Sequence, residues 1–262
     1  MKSTTTFKQS FAIQFRVIHA MMLREMITRF GRNNFGVLWL VFEPALFVIS
    51  ISTFWYMSGM HERGNISIEA FAATGYSSLM LWRNSANQCQ RALSANSALL
   101  YHRHIKMIDI YITRVLLEFV GVTAAFILLM IVFIVTGLSP APDDVLRMIT
   151  AWLLLLWFGF GLGLVLGAAS ERHELVGRIW GIMSMPLMFL SGTFFMLDWM
   201  PPAIRELLLW IPMVHGVEML RHGMFGDAVP TYYDPMYLLG WDAGLTLLGL
   251  AMMKTTRQYL AP

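Results

Sequence analysis

Several stretches of this chain, residues 112–136 and 147–169 among them, run uncharged or nearly uncharged for long enough to cross a hydrocarbon core, which takes roughly 20 helical residues. Nothing else in the sequence constrains the fold as much. A lipid-facing surface also explains the composition: 57% of the 262 residues are hydrophobic and 13% charged, against roughly 45–50% and 25% in soluble domains. The predicted class is all-α, a polytopic membrane protein with spans near residues 36–59, 67–88, 112–136, 147–169, 178–196 and 236–253. No internal repeat or low-complexity segment interrupts it, so residues 36–262 read as one transmembrane domain preceded by a segment of residues 1–35.

That first segment holds Lys2, Lys8, Arg16, Arg24, Arg29 and Arg32 without a continuous apolar core, so it is not expected to be a cleavable signal peptide. Phe7, Phe11, Phe15, Ile18, Met22 and Met26 recur at steps of three or four. They form one helical stripe, which predicts an amphipathic helix lying on the membrane surface; a soluble helix docked on the protein is the competing reading.

Fourteen of the nineteen Lys and Arg residues fall in the N-terminal segment, the 89–114 and 170–178 loops and the C-terminus, and four in the opposite loops. The excess marks the cytoplasmic side and predicts both termini there. Because the basic residues flank apolar spans, the pI of 9.1 speaks for membrane anchoring and not for nucleic acid. The single cysteine, Cys89, reads as a small packed side chain.

Residues 197–235 are too apolar for a solvated loop and too interrupted, by Pro201, Pro202 and Pro212, for a span. Two short helical pieces near 202–211 and 214–225 fit best. They would dip into the outer membrane face as re-entrant helices, tolerated where protein or a water-filled cavity shields broken backbone, and that shape suggests a gate.

Absent motifs remove whole classes of function. None of the four lysines follows a glycine, so there is no GxxxxGK[ST] loop to cradle ATP phosphates. His173-Glu174 opens like HExxH, but position 177 is Gly and the second zinc ligand is missing. His215, Glu218 and His222 could share a helix face, yet a satisfied polar face is the better reading, and no metal is assigned. Without a DxD or HExxH motif, a membrane glycosyltransferase or protease is disfavoured. Gly159, Gly163 and Gly167 recur every fourth residue and predict close approach of a neighbouring helix.

Ionisable groups within spans are costly and become functional candidates by default. Arg83 is expected to snorkel toward the inner headgroups, Glu118 to pair locally with Arg114, and Asp242 to reach the outer interface. Glu43 stands well inside the first span and precedes Pro44, which removes a backbone hydrogen bond, so it is the candidate for gating. The same span is rich in aromatics: Trp39, Phe42, Phe47, Phe54, Trp55 and Tyr56. With Phe194, Phe195, Trp199 and Trp210 of the outer segment they could form a track for sugar rings, whose C–H faces stack on aromatic side chains; ordinary packing and interfacial belts are the alternative.

The stretch Arg24–Pro44, REMITRFGRNNFGVLWLVFEP, closely resembles the opening of permease subunits of ABC-2-type capsular polysaccharide exporters of Gram-negative bacteria. SMPLMFLSGTFF, residues 184–195, and LLLWIPMVHGVEMLRHGMFG, residues 207–226, are similar to that family's fifth span and outer gate helices. The O-antigen permeases usually have a RYRGS-like opening where this chain has Arg29-Phe30-Gly31-Arg32-Asn33, a departure that favours capsule.

The resemblance implies an inner-membrane homodimer bound to two copies of an ABC ATP-binding subunit, which would hold ATP and Mg while this chain binds no cofactor. Its cargo would be a lipid-linked acidic polysaccharide, passed toward a periplasmic adaptor and an outer-membrane channel. O-antigen, another glycolipid or a small lipophilic drug is the alternative cargo. A glycan cannot thread a close-packed bundle, so the conduit is expected between two bundles, with spans one and five as walls. By the same resemblance Arg24, Arg29 and Arg32 would meet a phosphate headgroup or acidic sugars at a basic mouth. ATP-driven motion must then arrive mechanically through a cytoplasmic contact. The candidates are the 89–114 loop, with Tyr101, His102, Arg103, His104, Lys106 and Asp109, and the short loop with Glu171, Arg172 and Glu174.

Overall fold

The structure, a computed structural model, describes residues 7–30, 35–57, 66–90, 92–96 and 105–260; at 7, 9, 10, 29, 30, 35–41, 44 and 257–260 it describes the backbone alone. Among the described residues the chain forms helices and no strand. In chain order they are α1 (Phe7–Phe30), α2 (Phe35–Met57), α3 (Ile68–Gln90), α4 (Met107–Val135), α5 (Val145–Ser170), α6 (Glu174–Leu190), α7 (Pro202–Leu208), α8 (Pro212–Phe225) and α9 (Pro235–Leu260), joined in places by short 3-10 turns. Among the described residues, three helices are long and apolar enough to cross a membrane: α4, α5 and residues 235–256 of α9.

Local chemistry sets the helix starts. Pro202, Pro212 and Pro235 each open a helix at its first residue, where a missing N–H costs nothing. Asp144 caps α5 by accepting the Arg147 N–H at 2.9 Å, and Asp234 caps α9 by accepting the Met236 N–H at 2.8 Å. Asp109 accepts the Lys106 N–H at 2.8 Å and so starts α4 at Met107, five residues before the predicted span.

The core gathers around α5, which packs against α3, α8 and α9. Its glycines explain the close approach: a Cβ at Gly159 would sit 2.8 Å from Trp82 Cα of α3, and one at Gly163 2.8 Å from Cys89 Sγ. Gly167 faces Tyr111 of α4, while Gly161 faces Leu245 and Thr246 of α9. The every-fourth-residue pattern is therefore a helix-packing device, and Cys89, wholly buried, is part of that seam. Gly159→Leu should destabilise the protein by about 1–3 kcal/mol or more, because α3 backbone and not a flexible side chain stands in the way. A thermal melt of the purified variant in detergent checks this, and an unchanged midpoint would rule out so close a seam.

By contrast, α2 and α6 lie at the edge of the bundle. α6 buries only Trp180 and Ser184, and the described part of α2 buries only Val48, Ser52 and Trp55. α6 also ends earlier than the predicted 178–196 segment. It stops at Leu190, and Gly192 turns the chain with φ +81°, a left-handed conformation that other residues rarely adopt.

Candidate functional site

The tightest polar construction is the corner that follows α6. Arg221 of α8 is wholly buried and donates from Nη1 to the Gly192 and Phe195 carbonyls, each at 2.6 Å, and from Nη2 to the Thr193 carbonyl at 2.9 Å. Its guanidinium lies 3.9 Å from the centre of the Phe71 ring of α3 and 3.9 Å from Glu218 Oε1. Glu218, also fully buried, accepts the Leu197 and Tyr232 N–H groups at 3.3 Å each. Burial, partly offset by the Glu218 carboxylate, lowers Arg221 to about 10, so it stays protonated at neutral pH. One ion pair thus ties α8, the 192–197 corner and the 231–234 approach to α9 into a single unit. A Cβ at Gly75 of α3 would come 2.4 Å from the Thr193 carbonyl, which leaves the corner no other seat.

His215, Glu218 and His222 do not converge. His215 bonds the Leu209 carbonyl and the Asp234 N–H, both at 2.8 Å, and His222 meets the Thr231 and Tyr233 hydroxyls at 2.9 and 3.2 Å. Each is occupied by a different partner.

The expected aromatic track separates into parts. Trp55 is buried and packs against Phe71 with tilted rings at 4.7 Å, and Trp199 stacks on Phe71 at 5.2 Å. The Trp55 ring thus packs into the core of the bundle. Phe194 lies against Phe189 at 5.6 Å, and Phe195 packs with Leu197, Leu208 and Val214. Phe42 and Tyr56 are exposed on α2. The Trp39 side chain lies outside the described residues.

The charges expected at a basic mouth are only partly described. Arg24 donates to Asn96 Oδ1 at 3.1 Å; the side chain of Arg29 and all of Arg32 lie outside the described residues. α1 docks through Gln14 on Asp109, through Met21 in the apolar cluster around Tyr111, and through a 3.2 Å ion pair of Glu25 with Arg114. Phe11 and Phe15 of its apolar stripe remain exposed.

At the proposed coupling loops, His102, Arg103 and His104 lie outside the described residues, and Lys106 is exposed. Asp109 is wholly buried, held by the Lys106 N–H and Gln14, so its carboxylate is not available to a docking partner. Arg172 is likewise engaged, donating to the Thr255 and Thr256 hydroxyls and the Met252 carbonyl near the end of α9. Glu174 is almost fully exposed, 3.8 Å from Arg178.

Between α3 and α6 runs a polar seam that sequence reasoning missed. Arg83 Nη2 of α3 donates to Ser184 Oγ of α6 at 3.4 Å, Trp180 Nε1 donates to Asn87 Oδ1 at 2.6 Å, and Gln90 Nε2 donates to the Gly177 carbonyl at 3.1 Å. Positions 83, 87 and 90 share one face of α3, which is the signal the sequence did contain. On the α2 side Phe47 stacks on Tyr76 at 4.2 Å, and Glu43 is exposed. Arg83 does not snorkel to headgroups as expected; it turns inward to α6. Asp242 does not reach the interface either. It is wholly buried on α9, with both carboxylate oxygens lacking a hydrogen-bond partner among the described residues. Arg221 was also missed, although Glu218 and Arg221 are spaced i, i+3 on one helix.

Comparison with known proteins follows the same lines. The chain is 44% identical to the capsule polysaccharide export inner-membrane protein BexB of Haemophilus influenzae over 98% of its length and 97% of that protein. It is 43% identical to CtrC of Neisseria meningitidis serogroup A, a capsule polysaccharide export inner-membrane protein, with the same coverage. Against the polysialic acid transport protein KpsM of Escherichia coli the identity is 30%, over 96% of this chain and 97% of that one. The profile of the ABC-2 type transporter family matches residues 16–225, from the docked helix α1 through Arg221 to the end of α8. With apolar helices packed on a glycine seam and relatives aligned over nearly its whole length, the chain belongs to the ABC-2 type transporter family.

Proposed function

We propose that this chain is the permease subunit of an ATP-driven exporter that moves lipid-linked acidic capsular polysaccharide from the cytoplasm across the inner membrane. The observation that carries the reading is the nearly end-to-end likeness to capsule export inner-membrane proteins. In this reading α2, α3, α4, α5, α6 and α9 cross the membrane with both termini cytoplasmic. α1 lies at the inner interface, and α7 and α8 form a re-entrant outer gate braced by Arg221. Two copies enclose the conduit. The sparse burial of α2 and α6, which leaves Phe42, Phe54, Ile182 and Phe189 uncovered, supports these helices as its walls.

The chain has no ATPase site of its own; a separate subunit, present twice, holds ATP and Mg and drives the motion. Its contact falls on the inner loops, where Lys106 and Glu174 are exposed. A periplasmic adaptor and an outer-membrane channel receive the polymer.

Deletion of the gene should abolish surface polysaccharide and leave the polymer inside the cell, visible by electron microscopy and identified by sugar analysis of the cell-retained fraction. Normal surface polymer in the deletion strain would refute the reading.

A further inference from the structure

Arg83 is the most anomalous cation in the bundle. It stands seven residues before Gln90, the inner end of α3, about 10 Å along the helix axis. It is only half-buried, yet its Nε is sealed from solvent and has no hydrogen-bond partner among the described residues. Its hydrogen bond there is a long one, 3.4 Å, to the neutral Ser184 hydroxyl. A guanidinium carries five N–H donors and cannot shed its charge. At this depth a charge without an anion is expensive, so the position calls for a negative partner.

The surroundings say where that partner comes from. Ser184 is two residues before Pro186 of α6, the less-covered wall helix, and Glu43 precedes Pro44 on the other wall helix, α2. Glu43 stands one turn before Phe47, which stacks on Tyr76 of α3 at 4.2 Å, and Tyr76 and Arg83 are seven residues apart on one face of α3. Arg83 and Glu43 are not within ion-pair distance of each other, so Glu43 leaves the guanidinium unneutralised while facing the same region.

We propose that Arg83, with Ser184 beside it, is an anion-binding subsite in the conduit that takes up one acidic group of the passing polymer, a sugar carboxylate or a phosphate substituent, in a bidentate contact. This deepens the export reading and rests on it. A guanidinium fork matches either anion, and the nearby Glu43 carboxylate repels a bound anion and keeps its stay short, as a chain that must slide requires.

The test uses the full-length permease in nanodiscs and the capsular polymer purified from the producing cell. Three forms of the polymer serve as probes: native, carboxyl-reduced, and dephosphorylated. Wild type should bind the native polymer about tenfold or more tightly than Arg83→Gln, which keeps a donor for Ser184 but loses the charge, and Arg83→Lys should recover part of the difference. Loss of binding on carboxyl reduction assigns the subsite to sugar carboxylates; loss on dephosphorylation assigns it to phosphate.

Native polymer bound equally by wild type and Arg83→Gln, or wild-type binding indifferent to both treatments, overturns the proposal. So does displacement of the polymer from wild type, but not from Arg83→Gln, when phosphatidylglycerol is added to phosphatidylcholine nanodiscs, which would make a lipid headgroup the partner. The wild-type comparison of polymer forms needs no variant to fold. These outcomes leave the export reading untouched, since that reading stands or falls on surface polymer in the deletion strain.

Discussion

Arg221→Leu should cost the protein about 3–5 kcal/mol, the usual penalty for breaking a buried ion pair by removing one partner. The substitution strands Glu218 without its cation and leaves the Gly192, Thr193 and Phe195 carbonyls without their donor. Each unsatisfied buried group adds its own desolvation penalty of about 1–3 kcal/mol. Against a total stability of about 5–15 kcal/mol, that is enough to deplete the protein from the membrane. Thermal unfolding of purified protein and its steady-state level report the loss. The double variant Arg221→Leu with Glu218→Leu should be less damaged than the single one, because no charge is left unpaired. Gly75→Val should reproduce the damage from the other side, by pushing the corner off α3. An Arg221→Leu protein that melts with wild type would show that the corner does not depend on the cation.

Glu43→Leu should reduce surface polysaccharide by about tenfold or more while the permease still accumulates in the membrane. Its carboxylate is exposed on α2, and a carboxylate on a membrane helix is disfavoured by about 2.5–3.5 kcal/mol at the bilayer centre, so leucine removes a cost and adds none. A stability gain with an export loss is the signature of a residue kept for work and not for folding. Surface and cell-retained polymer are measured against the membrane level of the variant, and normal export at normal level would return Glu43 to a tolerated surface feature. The nearby Arg83 gives the loss a direction: without the repulsion from Glu43, the cation holds the anionic chain longer, so polymer should stay with the cells.

Much of this was legible because the bilayer imposes one-dimensional signals. The long uncharged runs locate helices whatever surrounds them, since lipid offers the backbone no other partner, and helices stand at each segment so read. The glycine repeat on α5 was likewise readable as packing, because its spacing by itself selects one helix face. Pro201, Pro202 and Pro212 broke the outer segment where α7 and α8 begin.

Partnerships across the bundle were another matter. Trp55 had the same aromatic signature as Tyr56, its neighbour in sequence, yet one packs inside against Phe71 and the other faces outward, a choice set by a rotation of about 100° on the helix and by what lies opposite. Asp109 and Arg172 looked like loop charges free for a partner subunit. Only the approach of α1 and α9 shows that they are used internally.

What the sequence by itself determined was the helical membrane architecture, the glycine seam, the basic flanks and the lack of a P-loop, all of them local in the chain. The tertiary structure alone decided that Arg221 braces the outer corner, that Asp242 is sealed in, and that Arg83 turns toward α6. Those outcomes depend on groups tens to a hundred residues away, and the free energy of a buried charge is set by which of them arrive beside it.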